Sequence, residues 1–160
     1  MFIRKVGILI KKRQLEAFPI IKKIIERMGK EKLEIYLDHE SAKYFKLGAG
    51  YPLKEVAAIG DILIVFGGDG TLLSAARLIN KKQTPILGIN LGVLGFLTEF
   101  NLEDIYKIIE DILKGDFQTE KRMRLEAEVI RRDKKIAEFQ VLNDVVFNKG
   151  ALARIFELET

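Results

Sequence analysis

The chain has 160 residues, 48% of them apolar and 31% charged, with a formal net charge of +4 and no cysteine. That is room for one ordinary soluble domain, or one complete domain and part of another, and it excludes disulfides and thiolate metal sites. The basic residues are scattered among acidic ones with no aromatic ladder, which argues against a nucleic-acid partner, and no stretch nears the roughly 20 apolar residues that cross a bilayer.

Val6 to Ile10 reads as a first strand, closed by Lys11-Lys12-Arg13, too short for the core of a secretory signal. Gln14 to Met28 places Leu15, Phe18, Ile21, Ile24, Ile25 and Met28 on one helix face, with Gly29 as its stop. Leu33, Ile35 and Leu37 alternate as a strand near a sheet edge should. His39 has neither a cysteine nor a second histidine to share a metal. Ser41 to Tyr51 shows no clear period and reads as a loop or short helix, and Leu53 to Ile59 fits one or two helical turns.

Ile62 to Phe66 is an unbroken apolar run, the pattern of a parallel strand buried on both faces. It stops at Gly67-Gly68-Asp69-Gly70-Thr71 and resumes as a helical run to about Asn80. The order strand, glycine turn, helix puts Asp69 at the carboxyl end of a strand, where open α/β sheets bind ligands. The glycines offer positive φ and close backbone approach, and Thr71 is the expected N-cap of a helix whose free N–H groups suit phosphate. A carboxylate there repels phosphate, so Asp69 reads as a base for a hydroxyl nucleophile or as a holder of Mg²⁺. There is no G-x-x-x-x-G-K-[ST] loop.

Pro85 opens a strand over Ile86 to Ile89, and Asn90-Leu-Gly92-Val-Leu-Gly95-Phe-Leu-Thr98 leaves the same sheet edge beside Asp69. Gly92 and Gly95 mark turns or close approaches, and Asn90 could orient Asp69 or contact a ribose. Glu103 to Lys114 is amphipathic, with Ile105, Ile108, Ile109, Ile112 and Leu113 on one side and Gly115-Asp116 as its stop. The pattern then changes to alternation: Leu125 to Ile130, a turn at Asp133-Lys134, a return over Ile136 to Phe139, then strands over Val141 to Phe147 and Arg154 to Leu158.

Three stretches in this order resemble the NAD kinases: Gly67-Gly68-Asp69-Gly70-Thr71, the segment from Pro85 to Leu97, and Leu142-Asn143-Asp144. Lipid kinases share the glycine turn but carry G-T-x-N-D where this chain has Gly88-Ile-Asn90-Leu-Gly92. The resemblance implies a Rossmann-like α/β domain over residues 1–100. Residues 101–160 would then hold a bridging helix and the first strands of an antiparallel, β-rich dinucleotide-binding domain, incomplete at Thr160. It implies transfer of a phosphoryl group from ATP or polyphosphate to the adenosine ribose 2′-hydroxyl of NAD, with a divalent cation such as Mg²⁺. Asp69 would be the proton acceptor and, with Gly70, Asn143, Asp144 and Arg154, would contact the dinucleotide; no residue is assigned as a metal ligand. A cytoplasmic homodimer or homotetramer is the further expectation. The alternatives are another small-molecule or lipid kinase carrying the GGDG turn, and a non-catalytic dinucleotide-binding fragment.

Overall fold

The computed structural model describes residues 2–11, 15–79, 82–93 and 95–146. By contact density the chain divides into two units, Met1–Lys121 and Arg122–Thr160.

The first unit is built on five parallel strands in the order β2-β1-β3-β4-β5: Lys5–Ile10 (β1), Glu34–Leu37 (β2), Ile62–Phe66 (β3), Ile86–Asn90 (β4) and Phe100–Asn101 (β5). The chain winds outward from β1 to the edge strand β2, then returns past β1 to add β3, β4 and β5 on the other side. The direction of winding therefore reverses between β1 and β3, the place where open α/β sheets form a ligand crevice at their carboxyl ends.

Alternation along the strands sends side chains to two separate cores. Val6, Ile8 and Ile10 of β1 and Ile62, Ile64 and Phe66 of β3 face one layer, where they meet helix α1 (Phe18–Lys30), α2 (His39–Phe45) and α5 (Ile105–Lys114) through Ile21, Ile24, Phe45, Ile105 and Ile109. Leu9, Leu63 and Val65 face the other, against α3 (Leu53–Ile59) and α4 (Asp69–Ala76) through Val56, Ala57 and Ala75. Every residue of β3 is buried, as expected for a central strand covered on both faces. Gly7 lets α3 settle onto β1: a Cβ there would come within 2.8 Å of the Val56 carbonyl oxygen.

Several local readings change. The first long helix starts with a 3₁₀ turn at Leu15–Ala17 and passes through Gly29 to Lys30. The stretch without a period contains α2, which Asp38 caps by accepting from the Glu40 and Ser41 amides at 3.0 and 3.2 Å. α4 ends at Ala76 instead of about Asn80. The two-residue strand β5 pairs Ile89 with Phe100 and Asn90 with Asn101.

The first unit extends past residue 100 because α5 buries Ile105, Ile109 and Ile112 in its core. In the second unit, Leu125–Arg131 (β6) and Lys134–Val141 (β7) form an antiparallel hairpin. Its turn is Arg132-Asp133, one residue earlier than the sequence suggested, with φ of 52° and 57° as a type I′ turn requires. The strand expected over Val141 to Phe147 is not formed at 142–146: β7 ends at Val141 and a bend follows at Leu142-Asn143. There Asn143 Nδ2 donates to the neighbouring Asp144 Oδ2 at 2.9 Å. Phe147 and the strand expected over Arg154 to Leu158 lie outside the described residues.

Candidate functional site

At the end of β3 the Gly67 amide still donates to the Ile89 carbonyl of β4 at 2.9 Å, so the glycine turn leaves the sheet at a fixed point. Gly68, in extended conformation at φ −91° and ψ −172°, is the N-cap of α4, and Asp69 is its first residue. Thr71 is therefore not the cap. Its own amide, like that of Leu72, donates back to the Gly68 carbonyl, at 2.9 and 3.2 Å.

The glycines serve a purpose other than positive φ, which none of Gly67, Gly68 and Gly70 adopts. A Cβ on Gly67 would overlap the Thr71 side chain, whereas nothing lies within 4 Å of a Cβ built on Gly68 or Gly70. Gly67 is thus demanded by packing. Gly68 and Gly70 keep the approach to Asp69 clear of side chains.

The Asp69 carboxylate lies against the segment that follows β4. Oδ2 accepts from the Phe96 amide at 2.9 Å; Oδ1 accepts from the Leu97 amide at 3.1 Å, the Thr98 amide at 3.1 Å and the Thr98 hydroxyl at 3.0 Å. Burial disfavours its charge, but the Phe96 and Leu97 amides and both donors of Thr98 outweigh that, and they hold the carboxyl below the usual aspartate range. All four neighbours donate, so the group is an ionised acceptor. The loop fits this closely only because residue 95 is glycine: a Cβ there would overlap the carboxylate itself.

Asn90, at the end of β4, is buried and organises the same loop. Its Oδ1 accepts from the Gly92 amide at 2.8 Å, while Nδ2 donates to the Val93 carbonyl at 2.7 Å and to Thr98 Oγ1 at 2.8 Å. Of the two sequence options for Asn90, orienting Asp69 is the one this geometry supports, through Thr98. Thr98, fully buried, was missed. A single threonine after Gly-Phe-Leu has no spacing signal to mark it, and backbone amides leave no trace in residue identity.

Among the remaining candidates, Gly70 is exposed in the first turn of α4, and Asn143 and Asp144 are exposed in the second unit. Arg154 lies outside the described residues. As a direct Mg²⁺ ligand Asp69 fits poorly. Four N–H and O–H donors occupy most of its lone pairs, and amide donors repel a cation. In the hairpin, Glu126, Glu128 and Glu138 bring carboxylate oxygens within 4.8 Å of one another. Lys135 Nζ already sits among them, 2.9 Å from Glu128 and 2.8 Å from Glu138.

Fold and site together define an open α/β protein whose ligand edge carries a caged, ionised carboxylate between side-chain-free glycines. The family profile described as the ATP-NAD kinase N-terminal domain matches residues 52–117. The NAD kinase of Geobacter sulfurreducens is 54% identical over 107 residues, which are 67% of this chain and 38% of that protein. That of Citrifermentans bemidjiense is 40% identical over 160 residues, covering 98% of this chain and 56% of the relative. A yeast NADH kinase crystal structure, complexed with NADH, shares the fold with a TM-score of 0.77 at 20% identity, over 89% of this chain and 48% of its own. The chain is similar to these NAD kinases over almost its whole extent, and it spans about half the length of the relatives it matches.

Proposed function

We propose that the protein is an NAD kinase, which moves the terminal phosphoryl group of ATP, or of polyphosphate, onto the adenosine ribose 2′-hydroxyl of NAD to give NADP. The observation that carries this reading is the state of Asp69: ionised, fixed at the carboxyl edge of the sheet, and flanked by Gly68 and Gly70, which present no side chain. Two solved structures that share this fold, a yeast NADH kinase complexed with NADH and an NAD kinase from Archaeoglobus fulgidus in complex with ATP, support it.

In the proposed reaction the 2′-hydroxyl hydrogen-bonds to Asp69 and its oxygen attacks the terminal phosphorus. The bond to the ADP oxygen breaks, and the hydroxyl proton passes to Asp69. A carboxylate held below its usual range is a weak base, so it acts by orienting the hydroxyl and takes the proton once the oxygen begins to bond to phosphorus. Positioning dominates catalysis in phosphoryl transfer, which makes a weak base sufficient. Because Asp69 does not fit a bare cation, we assign any Mg²⁺ to the phosphates of the donor nucleotide. Gly70, Asn143, Asp144 and Arg154 are the proposed dinucleotide contacts. A cytoplasmic homodimer or homotetramer completes the proposal; among the described residues no helix is long and apolar enough to cross a membrane.

The test is NADP formation by the chain extended to the length of its relatives, with NAD, diacylglycerol and a sphingoid base offered in parallel. NAD alone should be phosphorylated. Asp69→Asn should keep NAD binding and lose about 10²- to 10⁴-fold in turnover. Near-normal turnover by that variant removes Asp69 from the proton-acceptor role, and phosphorylation of a lipid instead of NAD overturns the assignment.

A further inference from the structure

We propose that Thr98, held in place by Asn90, is a positioning residue that ties down Oδ1 of Asp69 and leaves Oδ2 as the atom that receives the substrate hydroxyl. The inference rests on the functional reading above for its catalytic consequence, but its structural content stands on hydrogen-bond inventory alone.

A carbonyl oxygen can only accept, so the Asn90 group 2.7 Å from the Val93 carbonyl must be the amide nitrogen. The Gly92 amide, 2.8 Å from the other atom, confirms that atom as the oxygen. The second Nδ2 hydrogen then points to Thr98 Oγ1, 2.8 Å away. That hydroxyl is an acceptor from Asn90, so its single hydrogen goes to its remaining partner, Asp69 Oδ1, at 3.0 Å. The polarity of the chain Asn90 to Thr98 to Asp69 is fixed end to end, with no freedom for the hydroxyl to rotate away.

The two carboxylate oxygens are consequently unequal. An aspartate offers about four lone-pair directions over both oxygens. Three donors crowd Oδ1, and one, the Phe96 amide, reaches Oδ2. A further hydrogen bond therefore goes to Oδ2, and the oxygens cannot exchange by rotation without breaking the Thr98 bonds. Gly88 belongs to the same device: a Cβ there would come within 2.9 Å of Thr98 Cγ2 and 2.7 Å of Leu72 Cδ1, so the glycine makes the space Thr98 occupies. All four donors to Asp69 are neutral. The charged residues nearest in the chain to the elements around it, Lys11 after β1, Arg77 after α4 and Glu99 after the loop, are exposed.

The experiment is carboxyl ¹³C and amide ¹H NMR of the aspartate-labelled chain through an acid titration, on wild type, Thr98→Val and Thr98→Ser. In wild type the Phe96, Leu97 and Thr98 amide protons should shift with the same midpoint as the Asp69 carboxyl carbon. Thr98→Val should move that midpoint to higher pH, and Thr98→Ser should return it. In the extended chain Thr98→Val should lower kcat roughly ten- to a hundredfold, the worth of a hydrogen bond to a charged group, with KM for NAD held within about twofold. Thr98→Ser should recover most of the loss. A folded Thr98→Val protein whose Asp69 titrates as in wild type overturns the proposal. So do wild-type amides that stay flat while Asp69 titrates, and that measurement decides the matter even if Thr98→Val does not fold. Failure of the extended chain to make NADP would count against the proposed function while leaving the titration result intact.

Discussion

Asp69 and Gly95 are a matched pair, since the carboxylate fills the space where any other residue at 95 would carry its Cβ. Gly95→Ala is therefore expected to push the loop off Asp69, and to cost about 1–3 kcal/mol in urea unfolding, the usual range for overpacking. It should also raise the Asp69 midpoint, because displaced amides no longer favour the charged form. Asp61 makes a second, independent acid-sensitive contact. Burial opposes its charge, but the Lys5 and Arg4 amides, at 2.9 and 3.0 Å, and the nearby Lys82 ammonium hold it below the usual range. A carboxyl lowered on folding stabilises the protein fully above its unfolded-state value, about 3.9, and that contribution disappears as pH falls through the lower folded value. Stability should accordingly be flat from neutral pH down to about pH 5, then fall below about pH 4. Asp61→Asn should make the chain less stable at pH 7 and flatten the fall, as read by urea midpoints at several pH values. At this scale the sequence marks Asp69 clearly, because an acid among glycines between a strand and a helix has few bland explanations. It does not mark Thr98 or the three amides, whose role depends on a loop folding back over a neighbouring strand's end.

Among the elements, α3 shows how a distant side chain can finish a helix. Its C-terminal carbonyls have no partner within the helix, as at any helix end. Lys82 Nζ reaches back to the Ala58, Ile59 and Gly60 carbonyls at 3.1, 3.1 and 2.7 Å. A cation at that end also suits the helix dipole. Lys82→Met keeps the aliphatic stem and removes the donors, and should cost about 1 kcal/mol in urea unfolding, with little added by the 3.9 Å pair to Asp61 because both groups are partly exposed. Legibility followed period and burial. β3 and α5 were visible because apolar runs and a one-sided isoleucine stripe survive in the sequence. α2 is legible only as a loop or short helix, since its start depends on Asp38 capping and its seven residues are too few to show a period. β5, with two residues, is defined by its pairing to Ile89 and Asn90 and has no pattern of its own.

In the molecule as a whole the two units differ in how much they bury. α5 is integral to the first: Ile105 and Ile109 are almost wholly buried with the β1 and β3 side chains. Truncating Ile109 to alanine should cost about 2–4 kcal/mol, in the range for large-to-small changes in a core, and should lower the unfolding midpoint of the first unit. The hairpin of the second unit is another case. Leu125, Ile130, Ile136 and Phe139 are each more than half exposed, and all other residues of β6 and β7 are at best half-buried. Two strands without a covering layer are marginal in water, because ordering their backbone costs more than their cross-strand pairs return. The β6–β7 amides should therefore exchange with solvent faster than those of β3 by about two orders of magnitude or more, since β3 opens only with the core of its unit. In a chain extended to the length of the relatives, the same amides should slow towards the β3 rate if the added residues cover the exposed leucine, isoleucines and phenylalanine. Hydrogen exchange on both lengths reads this directly, and unchanged rapid exchange in the longer protein would mean that the apolar hairpin residues are not covered by the added segment.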